Sequence, residues 1–112
     1  MFSVIIPAYN SENTIEKALD SLRNQTKPEL IRVVIVINDG SADATADKVE
    51  QYKKRESCNL NFILYNQQNA GVAAARNAGI RMATADYLAF LDSDDCWAPE
   101  KLEWQEKNLK EN

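Results

Sequence analysis

A chain of 112 residues with 45% apolar and 27% charged residues and a formal charge of −4 has the size and composition of one small globular domain, not of a disordered tail. The acidity and the lack of a basic stripe argue against nucleic acid as a partner. The absence of histidine removes Ser-His and Cys-His nucleophile pairs and the usual structural zinc site, so acid-base or metal chemistry has to come from carboxylates.

Phe2–Ile6 is a β-branched run stopped by Pro7 and reads as a first strand. Ser11 or Asn13 is placed to cap the following helix, with Glu16 in capping-box register with Asn13. Ile15, Ala18, Leu19 and Leu22 mark that helix's apolar face, and Lys27-Pro28 ends the region. Ile31–Ile37 is almost continuously apolar, as expected of a central parallel strand buried on both faces. Asp39-Gly40-Ser41 reads as a turn. A second helix is expected from about Asp43 to Lys54, with acids in its first turn and bases in its last; the cluster Lys53-Lys54-Arg55 reads as its solvated end. Asn61–Tyr65 is a third strand and Gln67–Gly71 a polar loop. Val72–Ala83 is an alanine-rich helix. Gly79 inside it costs about 1 kcal/mol relative to alanine, which points to a close backbone approach. Tyr87–Leu91 is the fourth strand, Asp92-Ser93-Asp94-Asp95 an acidic turn, and Pro99 is expected at the first position of a last helix, with Lys107 and Lys110 near its end.

The order βαβαβαβα implies an α/β fold, an open parallel sheet with helices on both faces and right-handed crossovers. Ligands of such sheets bind beyond the carboxyl ends of the strands. The segments that matter are therefore Pro7–Asn13, Asn38–Ser41, Asn66–Gly71 and Asp92–Asp95. The carboxylates of the acidic turn repel one another, and a divalent cation relieves that repulsion. Mg²⁺ and Mn²⁺ suit carboxylate oxygen, and they commonly complete their shell with substrate phosphate oxygens. An arbitrary D-x-D is more often a solvated loop capping the next helix; its place on the ligand rim reverses that preference. A calcium loop is excluded, because its sixth position requires Gly where this chain has Trp97, and because a strand precedes it instead of a helix. An aspartate-dependent phosphohydrolase, with Asp92 as nucleophile, remains an alternative, as does a non-catalytic interaction module. Gly40, Gly71 and Gly79 form no G-x-G-x-x-G, and there is no Walker motif.

Four segments in order, Ser3-Val4-Ile5-Ile6-Pro7-Ala8-Tyr9-Asn10, Asn38-Asp39-Gly40-Ser41, Asn69 through Gly79 (NAGVAAARNAG) and Phe90-Leu91-Asp92-Ser93-Asp94-Asp95, resemble the motifs of family-2 glycosyltransferases from about residue 2 to about residue 102. The resemblance implies a GT-A fold, a nucleotide-diphosphate sugar donor, often UDP-linked, and a Mn²⁺ or Mg²⁺ ion. By the same resemblance Pro7, Ala8, Tyr9 and Asn10 line the base and ribose pocket, with the Tyr9 ring offered to the base. Asp39 accepts a hydrogen bond from the base, and Arg76 faces the base or the diphosphate. Asp92 and Ser93 lie near the ribose and metal shell, and Asp94 binds the metal. Asn38 departs from the second aspartate of many relatives.

The resemblance also places the general base and the acceptor pocket well after the D-x-D turn. The base is therefore expected beyond residue 112, and residues 1–112 are expected to be the nucleotide-sugar-binding portion, inactive alone. The acceptor, a glycan or lipid-linked group, is not named by the sequence. The resemblance further implies that strand four lies beside strand one, where it is expected to be a bare edge that pairs with a second copy as a homodimer. No apolar run reaches membrane-spanning length, and no basic-then-apolar leader opens the chain. Cys58 and Cys96 read as free thiols of a reducing compartment. The expected location is cytoplasmic, or peripheral at the cytoplasmic face of a membrane in a full-length protein.

Overall fold

The continuous apolar run at Ile31–Ile37 is the spine of the sheet. In the computed structural model, which describes residues 1–55 and 59–111, it lies within β2 (Ile31–Asp39), flanked by β1 (Phe2–Ala8) and β3 (Phe62–Gln67). β4 (Tyr87–Phe90) closes the order β3-β2-β1-β4, and every pairing is parallel. Of the residues of β2 only Arg32 is exposed, as a strand covered on both faces requires. The helices α1 (Ile15–Arg23), α2 (Thr45–Lys53), α3 (Val72–Met82) and α4 (Lys101–Glu111) alternate with the strands, and a single 3₁₀ turn, Pro28–Leu30, leads into β2.

The two faces are covered unequally. Val4, Ile6, Val34, Val36 and Ala89 pack with residues of α1, α2 and α4 in the larger cluster. Val33, Ile35 and Ile37 pack on the other side against Ala75 and Ala78 of α3. Gly79 of α3 lies so close to β1 that a Cβ there would collide with the side chain of Ile5. This is the close approach that a glycine in the middle of a helix announced.

Several boundaries differ from the sequence expectation, each for a physical reason. Pro7 does not stop β1; it lies inside it, paired with Ile37. The Leu91 amide donates to the Ile5 carbonyl at 3.0 Å, so the backbone of Ile5 faces β4. Alternation along the strand turns the nitrogen of Pro7 toward the same side, where β4 has ended after Phe90, so the missing donor costs no ladder bond. The capping box at α1 does not form. Thr14 is the N-cap residue and makes no side-chain cap, and the Ser11 carbonyl accepts from the Thr14 and Ile15 amides. Glu16 pairs instead with Arg55, 3.4 Å away. Arg55 also lies 4.6 Å from the centroid of the Tyr52 ring, so the basic end of α2 is tied down as well as solvated.

The last helix begins at Lys101 and not at Pro99. Its start is set by Gln25, a buried polar residue just after α1. The Gln25 Oε1 accepts from the Leu102 amide at 3.1 Å, and its Nε2 donates to the carbonyls of Ser21 and Ala98 at 3.0 and 2.9 Å. One amide side chain thus satisfies an orphan N–H of the helix start and fixes the path of the chain leaving the acidic turn. Among the described residues no helix is long and apolar enough to cross a membrane. Cys96 is a free, exposed thiol; Cys58 lies outside the described residues, as does the side chain of Lys110.

Candidate functional site

β1 and β2 lie at the centre of the sheet, so the loops leaving their carboxyl ends meet. Asn10 adopts φ 48°, a left-handed conformation that asparagine tolerates better than most residues. It bridges the two loops: its amide donates to Ser41 Oγ at 2.9 Å, and its Oδ1 accepts from the Ala42 amide at 2.8 Å. Asp43 draws the same loops together. Its Oδ1 accepts from the Thr45 amide at 3.0 Å and its Oδ2 from the Glu12 amide at 3.2 Å. Burial pushes the Asp43 carboxyl up, but the bonds from Thr45 and the backbone outweigh it and hold it below its ordinary value.

Asp39 does not lie in a free turn. It ends β2, only 3% exposed, and its carboxylate is directed into the 67–71 loop. Oδ1 accepts from Gln67 Nε2 and from the Ala70 amide, each at 2.9 Å. Oδ2 accepts from the Gly71 amide at 2.9 Å and from Asn69 Nδ2 at 3.3 Å. A carboxylate has about four acceptor positions, and here the protein occupies them. Burial raises the Asp39 carboxyl, and the bonds from Gln67, Ala70 and Gly71 together overcome this and hold it below the usual carboxylate value. The loop approaches so closely that a Cβ on Gly40, whose φ is +71°, would meet the Asn69 nitrogen at 2.6 Å. Asn38 bonds Asn66 across the β2–β3 pair at 2.9 Å; a neutral amide serves here where a second carboxylate would face an acceptor.

The acidic turn follows β4 on the same rim. Between it and the β1 loop opens a cleft of about 540 Å³ lined by Pro7, Tyr9, Asn10, Ser11, Asn13, Thr14, Val72, Asp92, Ser93 and Asp94, a volume in the range of small-molecule sites. Of the residues singled out from the sequence, Pro7, Tyr9, Asn10, Asp92, Ser93 and Asp94 meet here. Tyr9 is 54% exposed, so its ring is open to a partner. Ala8 does not line the cleft; its methyl group belongs to the core. Asp39 lies behind the rim. Arg76, on α3, reaches the site through Asp92, 3.6 Å from its carboxylate.

The donor set of the turn suits a cation that brings its own oxygens. Among the described residues no three carboxylate or thiol groups cluster as a ready cage, and Asp92 and Asp94 are both exposed. Such a turn fits Mg²⁺ or Mn²⁺ completed by phosphate oxygens better than a calcium cage. Sequence reasoning missed Ser11, Asp43, Thr45, Gln67 and Asn69, which hold the rim together. Asn69 lies within the quoted motifs, and Ser11 was assigned to a helix cap.

The chain matches the family model of glycosyl transferase family 2 over residues 3–112. It is 41% identical over 100 residues to a poly(ribitol-phosphate) beta-glucosyltransferase of Bacillus spizizenii, covering 89% of this chain and 16% of that protein. Among solved structures it is similar to S. aureus TarS 1-349 in complex with UDP-GlcNAc, with a TM-score of 0.88, 35% identity, and coverage of 98% of this chain and 31% of that one. It also resembles the mannosyltransferase PcManGT of Pyrobaculum calidifontis in complex with GDP-Man and Mn²⁺, with a TM-score of 0.83, 30% identity, and coverage of 90% and 30%. The chain thus spans less than half the length of the curated relatives it matches. The fold is that of GT-A transferases.

Proposed function

Because the chain belongs to glycosyl transferase family 2, we propose that the rim cleft binds a nucleoside-diphosphate sugar, a UDP-sugar by preference, with Mn²⁺ or Mg²⁺, for transfer to a glycan or lipid-linked acceptor in polysaccharide assembly. The observation that carries this reading is the cleft itself, which brings the exposed Tyr9 ring and Asp92, Ser93 and Asp94 into one lining. An aromatic ring together with carboxylates and a nearby guanidinium matches a base and a metal-bound diphosphate of one ligand. The complexes of TarS with UDP-GlcNAc and of PcManGT with GDP-Man and Mn²⁺ support the same ligand class.

In this reading Tyr9 stacks on the base, and Pro7 and Asn10 border it. Asp39 acts on the base side chiefly by holding the 67–71 loop. Asp94, with Asp92 beside it, holds the cation, whose chemistry is to neutralise the diphosphate charge. Arg76 adds a forked donor for phosphate oxygen. The transfer is proposed to be an inverting hexosyl transfer. Of the rim carboxylates, Asp39 and Asp43 accept from loop amides and Asp95 from the Cys96 amide, and Asp92 and Asp94 are assigned to the cation in this reading. No general base is therefore assigned among them, and these residues alone are expected to bind donor without transferring sugar. The chain is placed in the cytoplasm or at the cytoplasmic face of a membrane, and the β4 edge is proposed as a self-association surface.

Calorimetry with UDP, GDP, UMP and GMP, with and without Mn²⁺, tests the reading. A diphosphate bound more tightly than its monophosphate, with a gain on adding Mn²⁺, is expected. Absence of binding by the folded protein, or steady phosphate release from simple phosphoesters, would overturn it.

A further inference from the structure

The Ser11 hydroxyl joins the Tyr9 loop to the acidic turn. Ser11 is buried, and its amide donates to Thr45 Oγ1 at 2.8 Å. Thr45 is itself fully buried and donates to Asp43 Oδ1 at 2.5 Å. The backbone of Ser11 is thus anchored to the start of α2. Its side-chain oxygen makes two further contacts, with the Tyr9 carbonyl at 3.2 Å and with Ser93 Oγ at 2.5 Å. A carbonyl only accepts, so the Ser11 proton goes to Tyr9, and Ser93 is the donor in the shorter contact. Tyr9 carries the ring assigned to the base, whereas Ser93 lies between the two carboxylates assigned to the cation.

We propose that Ser11 is a positioning residue for the donor's diphosphate and cation: through Ser93 it fixes Asp92 and Asp94 relative to the Tyr9 loop. The proposal rests on the donor-binding reading above. Another contact that reaches the turn from across the rim, Arg76 to Asp92, is solvent-exposed, and pairs of that kind restrain little. The hydroxyl pair is partly buried and is rooted in a buried threonine. Ligand placement has to hold within about half an ångström for a functional constellation. Removing the tether should therefore weaken what depends on the carboxylates and spare what depends on the base end.

The test is a double-mutant cycle on the full chain with Ser11→Ala, Ser93→Ala and the double variant, titrating UMP and UDP with and without Mn²⁺. Each single variant is expected to lose about three- to tenfold of the Mn²⁺-dependent gain in UDP affinity, the scale of one hydrogen bond. The double variant is expected to lose no more, and UMP affinity should fall by clearly less than the Mn²⁺-dependent gain. Ser93 is only partly buried, so its variant reports on the tether if Ser11→Ala fails to fold. Amide shifts of Ser11→Ala without nucleotide should change at residues 92–95 and leave the β2 and β3 amides in place. Full Mn²⁺ gain in both single variants, losses that multiply, or an equal loss of UMP affinity would overturn the tether while the donor reading stands. A parent chain that binds no UDP with Mn²⁺ would overturn the donor reading and the tether with it.

Discussion

The Arg76 guanidinium reaches to 3.6 Å from Oδ1 of Asp92, across the gap between α3 and the acidic turn. Both groups are close to half exposed or more, so the pair adds little to stability. Its weight lies in placement: a forked cation is kept beside the carboxylates, where a diphosphate would arrive.

Arg76→Ala is expected to weaken UDP binding about tenfold or more, the scale of a hydrogen bond to a charged group. UMP binding should suffer less. Asp94→Ala should abolish the Mn²⁺ dependence of UDP binding and leave the metal-free affinity close to its starting value. Calorimetry on the two variants checks both, and a retained Mn²⁺ gain in Asp94→Ala would remove Asp94 from the cation site.

Asp39 links the site to pH. Its carboxyl is lower in the folded chain than its ordinary value, so the unfolded chain binds the proton more readily. The stability it contributes is fully present above the unfolded value of about 3.9 and is lost as pH falls through the lower folded value. Asp39→Asn puts an amide donor where four donors converge. It is expected to destabilise the protein at pH 7 by about 1–3 kcal/mol and to flatten the acid limb. Asp39→Ala, by releasing the 67–71 loop, should weaken nucleotide binding even without metal. Urea melts of parent and variant at pH 7 and near pH 3 measure the first effect; parallel losses at both pH values would contradict it.

At Gly79 two effects oppose each other. Alanine gains about 1 kcal/mol of helix propensity, but its Cβ would collide with Ile5, and overpacking of a close-packed core costs about 1–3 kcal/mol. Because Ile5 is fully buried in β1, it has little room to yield, so Gly79→Ala should be net destabilising. Gly40→Ala combines a left-handed φ with a clash against Asn69 and should both destabilise the protein and displace the 67–71 loop. Thermal melting that shows either variant to be more stable than the parent would refute the steric argument.

β4 is the sheet edge beside β1. The Tyr87 and Leu91 amides donate to the carbonyls of Met1, just before β1, and of Ile5 within it, so by alternation the backbone groups of Leu88 and Phe90 face outward. Both side chains are 41% exposed. A second copy turned about a two-fold axis at Ala89 would set Leu88 against Phe90 in an antiparallel pair, the self-complementary contact of a symmetric dimer. Light scattering over a dilution series should show a dimer that Leu88→Lys dissociates. A monomer at high concentration would show that the edge does not self-pair.

Much of this was legible because apolar patterning and strand-end chemistry speak directly. The unbroken run in β2, the small residues of α3 and the four polar loops led to the parallel sheet and the rim, and the place of strand four beside strand one came from the family resemblance. What stayed hidden depends on side chains meeting across the fold. Nothing local to Asp39 says that its carboxylate faces loop amides and not the cleft. Ser11 has the same local context whether it caps α1 or bonds Ser93, and only the return of the chain after β4 decides. Pro7 reads as a stop until the end of β4 is known. Gln25, a lone amide between helix and turn, carries no sign of the helix start it will satisfy 77 residues later.

The central claim is that the nucleotide sits between Tyr9 and the acidic turn. Titrating UDP with Mg²⁺ into the isotopically labelled chain and following its amide resonances tests this most directly. The account predicts shifts concentrated at Tyr9, Asn10 and Ser11 and at Ser93 and Asp94, with Trp97 and Trp104, which line a second groove of about 450 Å³ along α4, unmoved. Shifts centred on that tryptophan groove, or on the β4 edge, would contradict it.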